Sequence, residues 1–168
     1  MSINLRVILA ATATCFLIGC AQTQRVVSLP RSERLAKVRT TAYSHTEKGG
    51  PRNAIGRYLS GRHVKSAASD WSRYPLGTRF RIVGTNEEFM IDDYGTALIG
   101  TNTIDLYKNS RLEMKRWGVR HVDIDILQWG SEEQSLKILK PRAKHRTVRR
   151  MIIALEKKSS ARPVTGLN

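Results

Sequence analysis

Apolar and polar positions alternate most regularly in "RHVDIDIL", residues 120–127, where Val122, Ile124 and Ile126 are interleaved with Asp123 and Asp125. A period of two describes a half-buried strand with its aspartates on the face opposite its isoleucines. Shorter stretches carry the same character: "VRTTAYS" from residue 38, "RHVKSAASD" from 62, "TRFRIV" from 78, "EEFMID" from 87 and "IDLY" from 104. In "TRFRIV", Phe80 and Val83 stand against Arg79 and Arg81. Turns fall at "HTEKGGPRN" and "YPLGT", where glycine and proline punctuate the chain. The interior has one good helix: Asn109 or Ser110 as N-cap, Leu112, Met114 and Trp117 as its apolar positions and Gly118 as its stop. One short helix among five or six short strands predicts a mainly β domain, a small barrel rather than a sandwich or an α/β sheet.

The two ends follow other patterns. Arg6 precedes an apolar run from Val7 to Ile18, the length of a secretory signal and short for a membrane span. Leu17-Ile18-Gly19-Cys20 resembles the lipobox of bacterial lipoproteins. It implies cleavage after residue 19 and lipid on Cys20, with Ala21 pointing to the periplasmic face of the outer membrane. Residues 20–36 then form a polar tether, a domain spans 37–130, and 131–168 form a basic tail with ten Lys or Arg and three Glu. Within that tail, His145 to Lys158 can be an amphipathic helix with Val148, Ile152 and Leu155 on one face, or a solvated segment.

Charge and cysteine usage narrow the partners. A formal charge of +15 asks for an acidic surface. In an exported, lipid-anchored protein that surface is the cell envelope, its peptidoglycan carboxylates and headgroups, and no nucleic acid is expected. Cys15 leaves with the signal and Cys20 is taken by lipid, so no disulfide or thiol nucleophile remains for the domain. The histidines at 45, 63, 121 and 145 have no ligand spacing. No metal or cofactor is expected, and the chain is expected to be a monomer.

The residues with chemical promise are three carboxylates beside glycine turns: Asp70 in "SAASDW", Asp93 in "DDYGTAL" and Asp105 in "TIDLY". Asp105 lies between Ile104 and Leu106, where partial desolvation would hold a carboxylic acid protonated near neutrality. Spacing alone favours the plainer reading, in which Asp93 caps a turn and Asp105 bonds a loop backbone. Asp92 and Asp123 read as solvated, Trp117 and Trp129 as core or barrel-end plugs, and Trp71 as a sugar-stacking ring.

The order of segments is more specific. "TAYS" (41–44), "SAASD" (66–70), "YPLGTRFRIVG" (74–84), "DYGTALIG" (93–100), "IDLY" (104–107) and "WGVRHVDIDIL" (117–127) resemble, in sequence order, the three-aspartate or 3D domain family. That family is similar to the C-terminal part of membrane-bound lytic transglycosylase A. The resemblance covers residues 39–128. It implies a six-stranded double-psi β-barrel and cleavage of peptidoglycan glycan strands between MurNAc and GlcNAc, leaving a 1,6-anhydro end. Position by position, it implies Asp105 as acid/base, Asp93 and Asp70 as supporting carboxylates, and Tyr43 as a cleft residue; Trp71 and Thr96, which depart from the family's pattern, are read here as further substrate contacts. Many relatives read "DTGGAIKG" where this chain has Thr96 and Ile99. A barrel that binds peptidoglycan without cutting it is the alternative.

Overall fold

The computed structural model describes residues 33–161. The lipobox, Cys20 and the apolar run before it lie outside the described residues. Six strands, β1 (Glu33–Tyr43), β2 (Val64–Ala68), β3 (Arg79–Ile82), β4 (Glu88–Asp93), β5 (Ile104–Tyr107) and β6 (Arg120–Gln128), close into a barrel in the order β1-β5-β2-β4-β3-β6. The pairs β1·β5 and β2·β4 are parallel and the other four antiparallel. This closed, mixed barrel is the double-psi architecture that the segment order implied, and closure leaves no strand edge unpaired.

The interior is filled from every strand. Ala67, Phe80, Phe89, Ile91, Ile104, Leu106 and Ile124 are fully buried, with Phe80 and Phe89 stacked across the β3·β4 hairpin at 5.6 Å. The alternation in β6 reads as predicted for Ile124 and Ile126, but Asp125 on the other face is also covered, held by Arg34 Nε at 2.8 Å and Arg81 at 3.8 Å. Asp123 is exposed and accepts the N–H of Lys37 at 2.9 Å. That bond fixes a bulge in β1, where Lys37 takes a left-handed φ of 52° and the register with β6 slips between Leu35 and Val38.

Helix α1 (Arg111–Trp117) has Ser110 as N-cap, accepting the Glu113 N–H, and stops at Gly118 with φ 61°. Its Trp117 is a plug: the ring is buried, Nε1 donates to Thr40 Oγ1, and Lys108 and Arg120 lie over its face. Leu112, counted among the helix's apolar positions, is exposed instead.

The basic C-terminal part is more than one helix and is not free of the barrel. Helices α2 (Glu132–Leu139) and α3 (Arg146–Ala161) flank a 3-10 turn over Lys140–Arg142. Leu139, Val148, Met151, Ile152 and Leu155 belong to the same apolar core as the strands. The described residues, 33–161, all fall within one compact unit. The amphipathic face of α3 therefore points inward, leaving Arg146, Arg149, Arg150 and Lys157 outside. Among the described residues, no helix is long and apolar enough to cross a membrane.

Candidate active site

Strand register places two of the three aspartates on one shelf. Thr41 of β1 pairs with Asp105 of β5, Asp105 with Ala68 of β2, and Ala68 with Asp93 of β4. The four residues thus form a row across neighbouring strands, on the face opposite the buried Ile104, Leu106 and Ala67. Asp105 and Asp93 flank the small Ala68 at roughly two strand spacings, about 9–10 Å between backbones. A methyl group between the carboxylates leaves the space above it open.

Asp93 reaches this face only because β4 carries an extra residue. Ala67 pairs with Ile91 but Ala68 pairs with Asp93, so Asp92 is bulged between them. In a regular strand, successive side chains alternate faces, and Asp93 would follow Ile91 into the core. The bulge turns it out.

Asp92, expected to be solvated, is buried at 5% exposure and serves as an anchor. Its Oδ2 accepts Asn53 Nδ2 at 2.9 Å and Ser66 Oγ at 2.7 Å. Asn53 Oδ1 in turn accepts the N–H groups of Ile55 and Arg57. Burial raises the carboxyl pKa of Asp92, and these donors oppose the shift. The "DD" pair therefore divides its labour: Asp92 pins the 44–59 loop, and Asp93 faces the space that the loop encloses.

That space is a cleft of about 190 Å³ with Ala68, Asp93 and Asp105 on its floor, Glu47 and Arg52 on one wall and Tyr94 and Leu98 on the other. Burial pushes the Asp105 carboxyl up to about 6; Glu47 adds to the rise, while the Thr41 Oγ1 bond at 2.6 Å and Arg39 oppose it. Burial likewise lifts Asp93 to about 6, with the charges of Asp92 and Asp105 adding and the Tyr94 N–H bond at 2.9 Å subtracting. Two such acids in one cleft titrate where general-acid chemistry runs near neutrality.

Tyr43 also lines the cleft. Burial, then the surrounding carboxylates, raises its pKa, so it stays a neutral phenol. Its buried hydroxyl has no hydrogen-bond partner among the described residues, and its ring meets Tyr107 edge-on at 5.7 Å. An unsatisfied buried donor at a cleft wall is a group that a ligand oxygen can complete.

The other expected site residues sit elsewhere. Asp70 does not face the cleft: it is 3% exposed, its Oδ1 accepts Ser72 N and Oγ, and its Oδ2 accepts the Gly100 N–H at 2.7 Å. It ties the 70–74 turn to the end of the loop that carries Tyr94 and Leu98. Gly100 has φ +85°, a left-handed conformation that strains any residue with a side chain. Replacing Asp70 by Ala leaves two buried donors of Ser72 and the partly exposed Gly100 N–H unpaired, and we expect about 1–3 kcal/mol of lost stability, read as a lower urea midpoint, with Asp70→Asn losing less.

Trp71 is fully buried, so it is not a stacking platform for a sugar. Its Nε1 donates to the Asp93 carbonyl at 2.8 Å and its ring packs edge-on against Tyr94 at 5.2 Å, so it supports the floor from beneath. Thr96 is exposed at the start of a 3-10 turn, Thr96–Leu98, just beyond the lining residues Tyr94 and Gly95. Ile99 is buried in the core.

One contributor had no motif to reveal it. Arg142, in the 3-10 turn after α2, donates through Nη2 to the Ala54 carbonyl at 2.8 Å and through Nη1 to the Tyr94 hydroxyl at 3.3 Å. It clamps the two walls together from outside. Its only sequence cue was one arginine among many. Among the described residues no group of three or more His, Cys, Asp or Glu side chains could hold a metal ion.

Residues 65–128, from β2 to the end of β6, match the model of the family described as the 3D domain. No curated protein matches the chain. Among solved structures, the crystal structure of MltA from E. coli is similar, at 24% identity over 50% of this chain and 29% of that one, with a TM-score of 0.37. The chain spans less than a third of the length of that structure.

Proposed function

We propose, from the 3D domain that residues 65–128 carry, that this protein is a peptidoglycan lytic transglycosylase with Asp105 as its acid/base. The observation that carries the reading is the cleft floor, where the aspartate of "IDLY" and the second aspartate of "DDYG" face one another across Ala68, each with its pKa raised to about 6. A purely structural carboxylate is ordinarily ionised and bonded.

The reaction uses few groups. Protonated Asp105 donates its proton to the oxygen linking MurNAc C1 to GlcNAc as that C1–O bond breaks, and positive charge develops at C1. The sugar's own C6 hydroxyl closes onto C1, its proton passes to the Asp105 carboxylate, and the acid is restored. No water is consumed. Ionised Asp93 across the cleft stabilises the cationic state electrostatically. Thr41 holds the Asp105 carboxyl in place at 2.6 Å, and Tyr43 offers a neutral donor to a sugar oxygen. The cleft is smaller than the roughly 300–1,000 Å³ of ordinary ligand pockets, which suits one ring held at the bond with the strand running past.

Muropeptide analysis of digested sacculi tests this. The 1,6-anhydro product supports it; reducing-end products would mean that Glu47 or Asp93 serves water and the enzyme is a hydrolase. Retention on sacculi with no release of fragments would mean a binding barrel. Because the mechanism needs Asp105 protonated and Asp93 ionised, and both lie at about 6, kcat/KM is expected to be bell-shaped, falling as pH moves to either side of about 6. The lipid anchor on Cys20 and placement at the outer membrane belong to the same proposal. They are tested by mass spectrometry of the mature N-terminus and by membrane fractionation.

The clamp makes a second expectation. Arg142→Ala releases Ala54 and Tyr94 together, and catalysis should fall about tenfold through loosened geometry while the barrel stays folded. Arg142→Lys should not restore it, since one ammonium on a shorter, unforked side chain does not reproduce two divergent donors. A full rescue by lysine would count against the clamp.

A further inference from the structure

A second concave site lies across the 70–74 turn from the aspartate cleft. It is a groove of about 530 Å³ lined by Arg73, Pro75, Trp129, Gly130, Glu133 and Lys158, among others. Trp71 and Asp70 are on the cleft side of that turn, supporting Asp93 and Gly100. Arg73 reaches from the groove to Asn102 Oδ1 at 3.2 Å, so one turn serves both sites.

The groove contains a fixed, exposed aromatic ring. Trp129 is 45% exposed, although the sequence reads it as a plug. Its ring lies parallel to Tyr74 at 6.3 Å and 11°, and its Nε1 donates to Glu33 Oε2 at 2.9 Å. The backbone beneath is locked: a Cβ on Gly130 would stand 2.3 Å from the Leu76 carbonyl oxygen, and the N–H groups of Gly130 and Ser131 bond Thr78 Oγ1 and Leu76 O. An indole with so few options for moving loses little entropy when a ligand lands on it.

The rim carries both signs of charge. Arg73 and Glu133 are exposed, and Lys158 is held over the groove by its bond to the Ser72 carbonyl at 2.6 Å. A phosphate ligand would call for cations alone, and an apolar one for an uncharged rim. An aromatic face beside mixed polar groups suits a pyranose, whose C–H face packs on indole while its hydroxyls and amide reach charged side chains.

We propose that this groove is a second saccharide site, which holds a β-1,4-linked N-acetylhexosamine segment of the glycan strand away from the bond being cut. The chemical class rests on the peptidoglycan reading; the site itself does not need the cleft to be catalytic. Trp129 is the platform, and Arg73 and Lys158 meet the carboxylates of the strand's lactyl and peptide substituents.

The test is titration of the full chain, carrying Asp105→Asn to prevent turnover, with the β-1,4 tetramer of N-acetylglucosamine. Tryptophan emission should change saturably, because Trp71 and Trp117 are buried and Trp129 is not. By calorimetry, Trp129→Ala should bind about tenfold more weakly, the equivalent of about 1.4 kcal/mol. Trp129→Phe, which keeps a ring over Tyr74, should recover most of the affinity and guards against a folding defect. Unchanged affinity in Trp129→Ala, or no saturable change in emission, overturns the proposal. Sacculi that yield no anhydro product while the tetramer still binds through Trp129 would overturn the cleavage reading and leave the groove intact.

Discussion

Asp105→Asn is expected to reduce formation of 1,6-anhydromuropeptides about a hundred- to ten-thousandfold while making the folded protein more stable at pH 7.5 than the wild type. The first half follows from removing the group proposed both to give and to take the proton, in a step where positioned acid–base catalysis contributes about 10²–10⁴. Asparagine still accepts the Thr41 hydroxyl through its amide oxygen, so the cleft floor keeps its shape. The second half follows from linkage. The folded-state pKa of Asp105, about 6, lies above the ordinary carboxylate value, so the native state binds more protons than the unfolded chain at intermediate pH. Stability from this group is fully present below about pH 4, declines as pH rises from about 4 to 6, and stays low above. An amide has nothing to lose over that interval. Thermal unfolding of both proteins from pH 4 to 8 should show the wild-type advantage at low pH shrinking and then reversing. An Asp105→Asn enzyme that retains its product, or a variant less stable at every pH, would contradict the assignment.

Removing everything after Gly130 should prevent the barrel from folding. Five buried side chains of α2 and α3, Leu139, Val148, Met151, Ile152 and Leu155, fill the same core as the strands. At about 1.5–3 kcal/mol each, their burial is of the order of the 5–15 kcal/mol that separates a folded domain from its unfolded chain. Ser135 Oγ also accepts the Leu76 N–H at 2.9 Å, next to the turn that supports Trp129. We expect a chain ending at residue 130 to be insoluble or to lack dispersed amide resonances, whereas one ending at Ala161 should be native. A well-folded 1–130 fragment would show that the helices are an accessory.

These two outcomes separate what the sequence discloses from what it withholds. Strand positions were legible because β3, β5 and β6 are short runs with a strict period, and α1 because Ser110 and Gly118 mark its ends. The pairing of Asp93 with Asp105 was legible only through segment order. The parallel β1·β5 register that seats Asp105 against Thr41 joins residues 64 positions apart, and no local pattern announces it. Asp92 and Trp71 were misread for a shared reason: polarity suggests solvent and an indole beside an aspartate suggests a ligand, yet each is consumed by an internal hydrogen bond. α2 was invisible because Glu132, Glu133 and Lys137 dilute its apolar stripe of Leu136 and Leu139. Arg142 lies in a run of basic residues where charge looks like surface, and only the fold brings it against Tyr94.

The extra residue in β4 has a consequence for the length of the chain as well as for its composition. Either aspartate of "DD" can be substituted with a local penalty, but loss of one codon there would remove the bulge. The one remaining aspartate would then follow Ile91 directly, keep its place opposite Ala68 and face the cleft, while the carboxylate that holds Asn53 and Ser66 would be lost. What the extra residue adds to this segment is the anchor of the 44–59 loop, so a one-residue deletion should resemble Asp92→Ala, loosening that loop while an aspartate stays on the cleft floor.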